Sequence, residues 1–210
     1  MKKIWAKFEK FFKDQGKTMA ELGFRPGKSE EDITKAEIHV GVHFPADYRN
    51  FLLICNGQKD KTLDWLPDHM ILFGVDEIIK AWDYEVSIMP MIGEHIFNTY
   101  HFHDKIRSIV FHRDRIPIAE FELGTCSICL DYIPGPKGTE GQLIFNVTES
   151  DFIVLAEKFT ELIENYIAFL ESGKLIFTEA AKGQESKFAI TTATGKSING
   201  DIWLELVAGK

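Results

Sequence analysis

Apolar residues recur along this chain at two periods. Between residues 3 and 14, Ile4, Trp5, Phe8, Phe11 and Phe12 fall at helical spacing, with Lys3, Lys7 and Lys10 between them. That pattern predicts a basic amphipathic helix. Such a helix either lies on a membrane surface or docks its aromatic face on its own domain, and docking is the expectation here. Ser29 predicts a helix start, with Asp32 three residues on and Glu30 and Glu31 in the first turn. Ile33, Ala36 and Val40 form one face of that helix, and Gly41 ends it. A second helix is expected from Pro45, which tolerates a first turn because its missing N–H would lack a partner there. Tyr48, Phe51, Leu52 and Cys55 continue its spacing, and Asn56-Gly57 is the expected stop.

The period then shortens. "HMILFG" (69–74) reads as a short buried strand, and "VDEIIKAWDYEV" (75–86) as a helix with Asp76 and Glu77 at its positive end. Residues 87–105 show no clear period. "SIVF", "IPIAEFEL", "CSICLDYI" and "QLIFNV" follow in quick succession between short turns, as expected of an antiparallel meander. Ser150 or Asp151 is expected to open a long helix, "FIVLAEKFTELIENYIAFLESG". Its stripe is Phe152, Leu155, Phe159, Leu162, Ile163, Tyr166 and Phe169/Leu170, and Gly173 ends it. The tail alternates weakly in "KLIFTEA", "KFAITTA" and "DIWLELV", three expected strands. The expected organisation is one domain over 1–173 and a β-rich extension over 174–210 packed on it. That extension either completes the sheet or forms a separate hairpin.

Composition narrows the function classes. With 210 residues, 45% apolar and 27% charged, the chain has material for one substantial core. No apolar run approaches the roughly 18 residues of a membrane span, and charges interrupt the N-terminal segment where a secretion signal would need an apolar core. A cytoplasmic protein without membrane insertion is the expectation. Cys55, Cys126 and Cys129 are too few for a disulfide scaffold. The net charge of −8 argues against a nucleic-acid surface. It is uneven: residues 1–28 carry eight Lys and Arg against three Asp and Glu, a local +5, leaving −13 for the remainder. An acidic body suits a basic partner, and it also serves plain solubility.

Two motifs imitate active sites. Cys126 and Cys129 make a C-x-x-C, but the segment reads as a strand. Residues three apart in a strand point to opposite faces, ~10 Å apart, beyond disulfide reach. A redox pair also needs a helix N-terminus, and a zinc site needs two more ligands. "GPKGTEG" lacks the Lys-Ser/Thr ending of a phosphate loop; Pro134 and Pro136 remove donors, and Glu140 repels phosphate. A hairpin loop is expected instead. His101 and His103 share a face if extended, with His95 and His112 near in sequence; loop or surface histidines are the expectation. No nucleophile elbow or Ser-His-Asp order is visible, so no metal, cofactor or catalytic residue is assigned.

Three blocks carry a family likeness. "RPGKSEEDITKAEIHVGVHFPADYRNFLLICNGQ" places Pro26, Ser29, Glu30, Ile33, Glu37, Gly41, Pro45, Asp47, Tyr48, Phe51, Leu52, Asn56 and Gly57 on one pattern. "FGVDEIIKAWD" is a strand–helix step with Trp82, and "RIPIAEFELGTCSICLDYIPGPKGTEGQLIF" is the third block. In this order, over residues 24–172, they resemble the Smi/Knr cell-wall-assembly regulator family of the SUKH superfamily. The chain departs from the family's Gly-Gly pair at Glu122-Leu123-Gly124, and the tail after 173 matches no motif. The resemblance implies an α+β fold, a twisted and mainly antiparallel sheet flanked by helices. It implies a non-enzymatic protein-binding module: a bacterial immunity protein that neutralises a toxin, or an intracellular regulator or scaffold of envelope assembly. Expected partner contacts are Trp65, Trp82, Asp131, Lys137 and Glu140. Glu37, Pro45, Tyr48, Asn56 and Gly57 are expected to be structural, with Glu37 partly buried against a backbone or hydroxyl group. Asp131 either holds the turn after its strand or meets a partner.

Overall fold

A computed structural model describes residues 1–92, 104–109, 111–121, 126–147, 151–180 and 182–209. Helix α1 (Lys2–Asp14) buries Trp5, Phe8 and Phe12. The Trp5 ring meets Phe51 edge-on at 5.0 Å, and Phe8 lies 5.4 Å from Trp65. The aromatic face is thus docked on the chain itself. Strand β1 (Phe24–Pro26) precedes α2 (Glu30–Val40). Ser29 caps α2 by accepting the Asp32 N–H at 3.1 Å, and Gly41 ends it at φ 80°, the left-handed stop that a glycine adopts without penalty.

Helix α3 (Ala46–Leu52) is shorter than its spacing predicts. Cys55–Gln58 is strand β2, paired antiparallel with β1 through Phe24↔Gln58 and Pro26↔Cys55. Cys55 therefore belongs to a sheet, and Asn56-Gly57 sits inside a strand instead of stopping a helix. Strand β3 (Leu63–Asp64), a 3-10 turn at Pro67–His69 and strand β4 (Ile71–Leu72) follow. The strand expected over 69–74 shrinks because Asp68 and His69 take φ of 49° and 59°, which no strand accommodates. Helix α4 (Val75–Ile92) runs past residue 86 and includes Pro90.

The meander is present as β5 (Arg115–Phe121), β6 (Cys126–Asp131) and β7 (Gln142–Val147), each antiparallel to the next. Residues 108 and 109 form no strand. The Arg115 guanidinium takes the Arg107 and Ile109 carbonyls, and Ile106 bridges Pro134. The long helix expected from residue 150 or 151 is two elements. Strand β8 (Asp151–Ala156) pairs with β7, and helix α5 (Phe159–Glu171) follows. Within β8 the side chains alternate between two buried faces: Phe152 packs with Cys129 and Ile144 on one, while Ile153 and Leu155 enter the main core on the other. Both faces of β8 are apolar-covered, so helical and strand periods were indistinguishable over these few residues.

Beyond Gly173, β9 (Leu175–Glu179) and β10 (Phe188–Thr192) pair as an antiparallel hairpin, and β10 lies parallel to β3. The expected third tail strand is instead helix α6 (Gly200–Ala208), capped by Asn199 Oδ1 accepting the Ile202 N–H at 2.9 Å. Its Trp203 is fully buried, stacks obliquely at 4.9 Å on Tyr166 and donates Nε1–H to Leu155 O at 3.0 Å. The architecture is α+β, with sheets β1-β2, β3-β10-β9 and β4-β5-β6-β7-β8. One face of the five-stranded sheet joins the helices in the principal core; Ile106, Cys129, Ile144 and Phe152 form a smaller cluster on the other.

Candidate functional site

The residues singled out by pattern cluster around α3 and the β6–β7 connection. Glu37, buried on α2, accepts the Phe44 N–H at 2.8 Å on Oε1 and faces Arg49 Nε at 3.4 Å through Oε2. Asp47 reaches farther. Its Oδ2 accepts the Thr160 N–H at 2.8 Å, in the first turn of α5 and 113 positions away, where a helix N-terminus favours a carboxylate. The Pro45 ring packs against Gly141: a Cβ on that glycine would lie 2.7 Å from Pro45 Cγ. Tyr48 is fully buried among Phe44, Phe51 and Phe159.

Asn56 and Gly57 hold the second block. Asn56 Oδ1 accepts the Val75 N–H at 2.9 Å, at the start of α4. Gly57, at φ 68°, lets β2 touch the Phe73 backbone, which a Cβ would approach to 2.4 Å. Gln58, which the sequence did not flag, joins three elements. It donates Nε2–H to Leu63 O at 2.8 Å, and its Oε1 accepts from Trp65 Nε1 at 2.8 Å and from Leu72 N at 3.2 Å. One buried amide so satisfies donors and acceptors of β3, β4 and the turn between them.

Cys126 and Cys129 lie on opposite faces of β6, one edging the principal core and one in the smaller cluster. Burial pushes the Cys129 thiol well above its ordinary range, away from the thiolate that redox chemistry needs. The loop after β6 is clamped. Asp131 is fully buried and faces Arg115 Nε at 3.3 Å; it also accepts from Ile133 N at 3.2 Å and from Gln142 Nε2 at 3.0 Å. Gly135 N and Lys137 N donate to Lys105 O and Asp104 O, both at 2.8 Å. Prolines and glycines here serve close backbone packing.

These placements divide the expected partner contacts. Trp65 and Asp131 are interior, at 1% and 0% exposure. Trp82 is nearly so at 7%, with Nε1–H donated to Arg113 O at 2.7 Å. All three were expected to touch a partner; their burial removes them from any contact surface of this fold, and Asp131 holds the turn. Lys137 and Glu140 are exposed, with Lys137 Nζ 2.9 Å from Asp104 Oδ2. His95, His101 and His103 lie outside the described residues, as do Glu122-Leu123-Gly124. His112 is described, and its Nδ1 accepts the Asp114 N–H at 3.1 Å. Among the described residues no three His, Cys, Asp or Glu side chains gather as metal ligands, and no helix is long and apolar enough to cross a membrane.

A cleft of about 290 Å³ lies elsewhere, between the 61–70 segment, the end of β5 and residues 183–186 of the tail. Leu63, Met70 and Phe121 give it apolar walls. Asp64 Oδ2 meets the His69 Nδ1 at 2.5 Å, and Lys61 Nζ lies 3.0 Å from Glu185 Oε2. Burial raises the Asp64 carboxyl above its ordinary range, with the His69 bond opposing. His69 points there from the left-handed Asp68-His69 pair, an arrangement costing roughly 1–2 kcal/mol per residue and held by the Asp68 N–H bond to Ile198 O at 2.9 Å. Strain of this kind collects at functional sites. Pattern reading missed the cleft because its residues come from three distant segments; the one local trace is the polar pair Asp68-His69 between apolar neighbours.

No curated protein matches the sequence significantly. The model of the SMI1 / KNR4 family (SUKH-1) does match, over residues 27–165. That span holds Glu37, Pro45, Asp47, Tyr48, Asn56, Gly57 and Asp131, the side chains and turns that fasten α2 and α3 to α4, α5 and the five-stranded sheet. It covers well over half of the chain, which therefore belongs to the SMI1 / KNR4 family (SUKH-1).

Proposed function

We propose that this member of the family is a non-catalytic protein-binding module, and specifically an immunity protein that neutralises a cognate bacterial toxin in the cytoplasm. The observation that carries it is where the family's motif residues are spent. Glu37, Pro45, Asp47, Asn56, Gly57 and Asp131 all make contacts within the fold. The motif thus specifies a scaffold and leaves its surface as the working part. The charge remainder of −13 outside residues 1–28 supports a basic partner domain, held by electrostatic and steric occlusion of its working face. We further propose that 1–173 and 174–210 act as one folded unit, since β10 pairs with β3 and Trp203 of α6 bonds to β8.

Co-expression with any toxin encoded by a neighbouring gene tests the proposal. Restored growth together with a co-purifying complex is the expected result. Absence of both, with envelope-assembly proteins recovered instead, would replace it with the regulator or scaffold alternative.

A further inference from the structure

The cleft between Lys61, Asp64, His69, Phe121 and Glu185 has features of a recognition pocket that the family match does not supply. Its tail wall, residues 183–186, lies outside the matched 27–165. The cleft already accommodates one cation from its own chain. The Lys61 ammonium sits 5.1 Å from the Phe121 ring centroid and 3.0 Å from Glu185 Oε2. The Asp64 carboxylate also lines the cleft, paired with His69 through one oxygen. Asp64 directs Oδ2 to His69, and among the described residues none donates to its Oδ1. The His69 ring stands 6.5 Å from Phe121, and Leu63 and Met70 line the cleft beside them. A cleft that combines apolar side chains, a carboxylate and two aromatic rings fits a planar cation on an aliphatic stem. A volume near 290 Å³ is at the small end of ligand pockets, the size of one long side chain.

We propose that this cleft receives one arginine side chain presented by a basic protein partner, its guanidinium on Asp64 and its flat face against Phe121. The proposal rests on the protein-binding function above and names the contact that function uses. A guanidinium matches better than an ammonium, because it donates in a plane to a carboxylate while stacking on an aromatic ring. Lys61 limits the affinity through like charge, and Glu185 offsets that by holding the Lys61 ammonium to one side.

The test is a titration of the full chain with N-acetyl-arginine amide, followed by backbone amide shifts at about pH 8, above the ordinary histidine range. N-acetyl-glutamate amide and N-acetyl-leucine amide serve as controls. Saturable shifts at Asp64, His69, Phe121 and Ser186 with the arginine probe alone are expected. Asp64→Asn should weaken binding about tenfold, and Lys61→Met, which removes the resident cation, should tighten it. Glu185→Gln, on the exposed tail loop, should weaken it without disturbing the fold. Equal responses to all three probes, or none, overturn the proposal, as do unchanged affinities in the Lys61 and Glu185 variants. A toxin complex whose affinity is indifferent to Asp64→Asn and Glu185→Gln would sink the pocket and leave the binding function standing. Arginine binding without any toxin complex would do the reverse.

Discussion

Gly57 and Gly173 both take left-handed backbone angles, at φ 68° and 73°, yet they answer to different constraints. A Cβ on Gly57 would meet the Phe73 backbone at 2.4 Å, whereas nothing lies within 4 Å of one on Gly173. Gly173→Ala should cost only the left-handed penalty, about 1 kcal/mol. Gly57→Ala adds displacement of a neighbouring strand end and should cost about 3 kcal/mol or more. Urea denaturation of the two variants separates these cases. Asp47→Ala removes the acceptor for the Thr160 N–H and should cost about 1 kcal/mol, the usual loss at a helix cap. Glu85 shows the opposite kind of residue. Burial, with the Glu120 charge adding to it, pushes its carboxyl up to about 8, while Arg115 opposes. Between the ordinary carboxyl range and that value, the folded state holds a proton that the unfolded state lacks. Stability contributed by protonated Glu85 therefore falls as pH rises through that window. Glu85→Gln should stabilise the protein at about pH 8.5 by at least roughly 1 kcal/mol relative to its effect at about pH 5. Equal effects at both pH values would contradict this origin.

Among the elements, α6 forms where a strand is expected, as β8 forms where a helix is expected, and the anchoring of α6 explains its case. "DIWLELV" alternates enough to pass for a strand, but Asn199 caps the segment and Trp203 inserts beneath β8 and α5. Burying Trp203 against Tyr166 and Phe169 decides the conformation where local propensity does not. Trp203→Ala should cost about 3–5 kcal/mol and should loosen β8 as well as α6, visible as faster amide exchange at Leu155 and its neighbours. The α3–β2 junction carries the same lesson. Tyr48, Phe51, Leu52 and Cys55 fit one helical face, but β1 supplies a ladder for Cys55–Gln58, and the sheet takes the last of them. α1, α2 and β5 to β7 form where expected because each keeps a single period, and α2 adds a Ser29 cap and a Gly41 stop.

For the whole molecule, the tail is part of the packing. It contributes β9 and β10 beside β3, the carbonyl that holds the strained Asp68-His69 turn, and the ring stacked on Tyr166. A chain ending at residue 173 should melt well below the full chain and bind hydrophobic dye; equal melting would show that residues 1–173 stand alone. The charge separation acts at the same scale. Association with a basic partner should slow as ionic strength rises, because the acidic surface steers the encounter through a field that salt screens. A rate indifferent to salt would assign the −13 remainder to solubility alone.

From the sequence alone came the α+β class, the meander, the family likeness, and the dismissal of Cys126–Cys129 and of the 133–141 loop as chemistry. These rest on local rules: period, caps, turn residues and strand geometry. The sequence also supplied the motif residues without their purpose. Only the tertiary structure shows that Asp47 caps a helix 113 positions away, that Asn56 and Gly57 fasten α4 and β4 instead of ending α3, and that Trp65, Trp82 and Asp131 face inward. It alone brings Asp64, Phe121 and Glu185 to one cleft. The reason is common to all of these. A residue's hydrogen-bond partner, and the side of the fold it faces, depend on contacts between distant segments, and no short window of sequence contains both halves of such a contact.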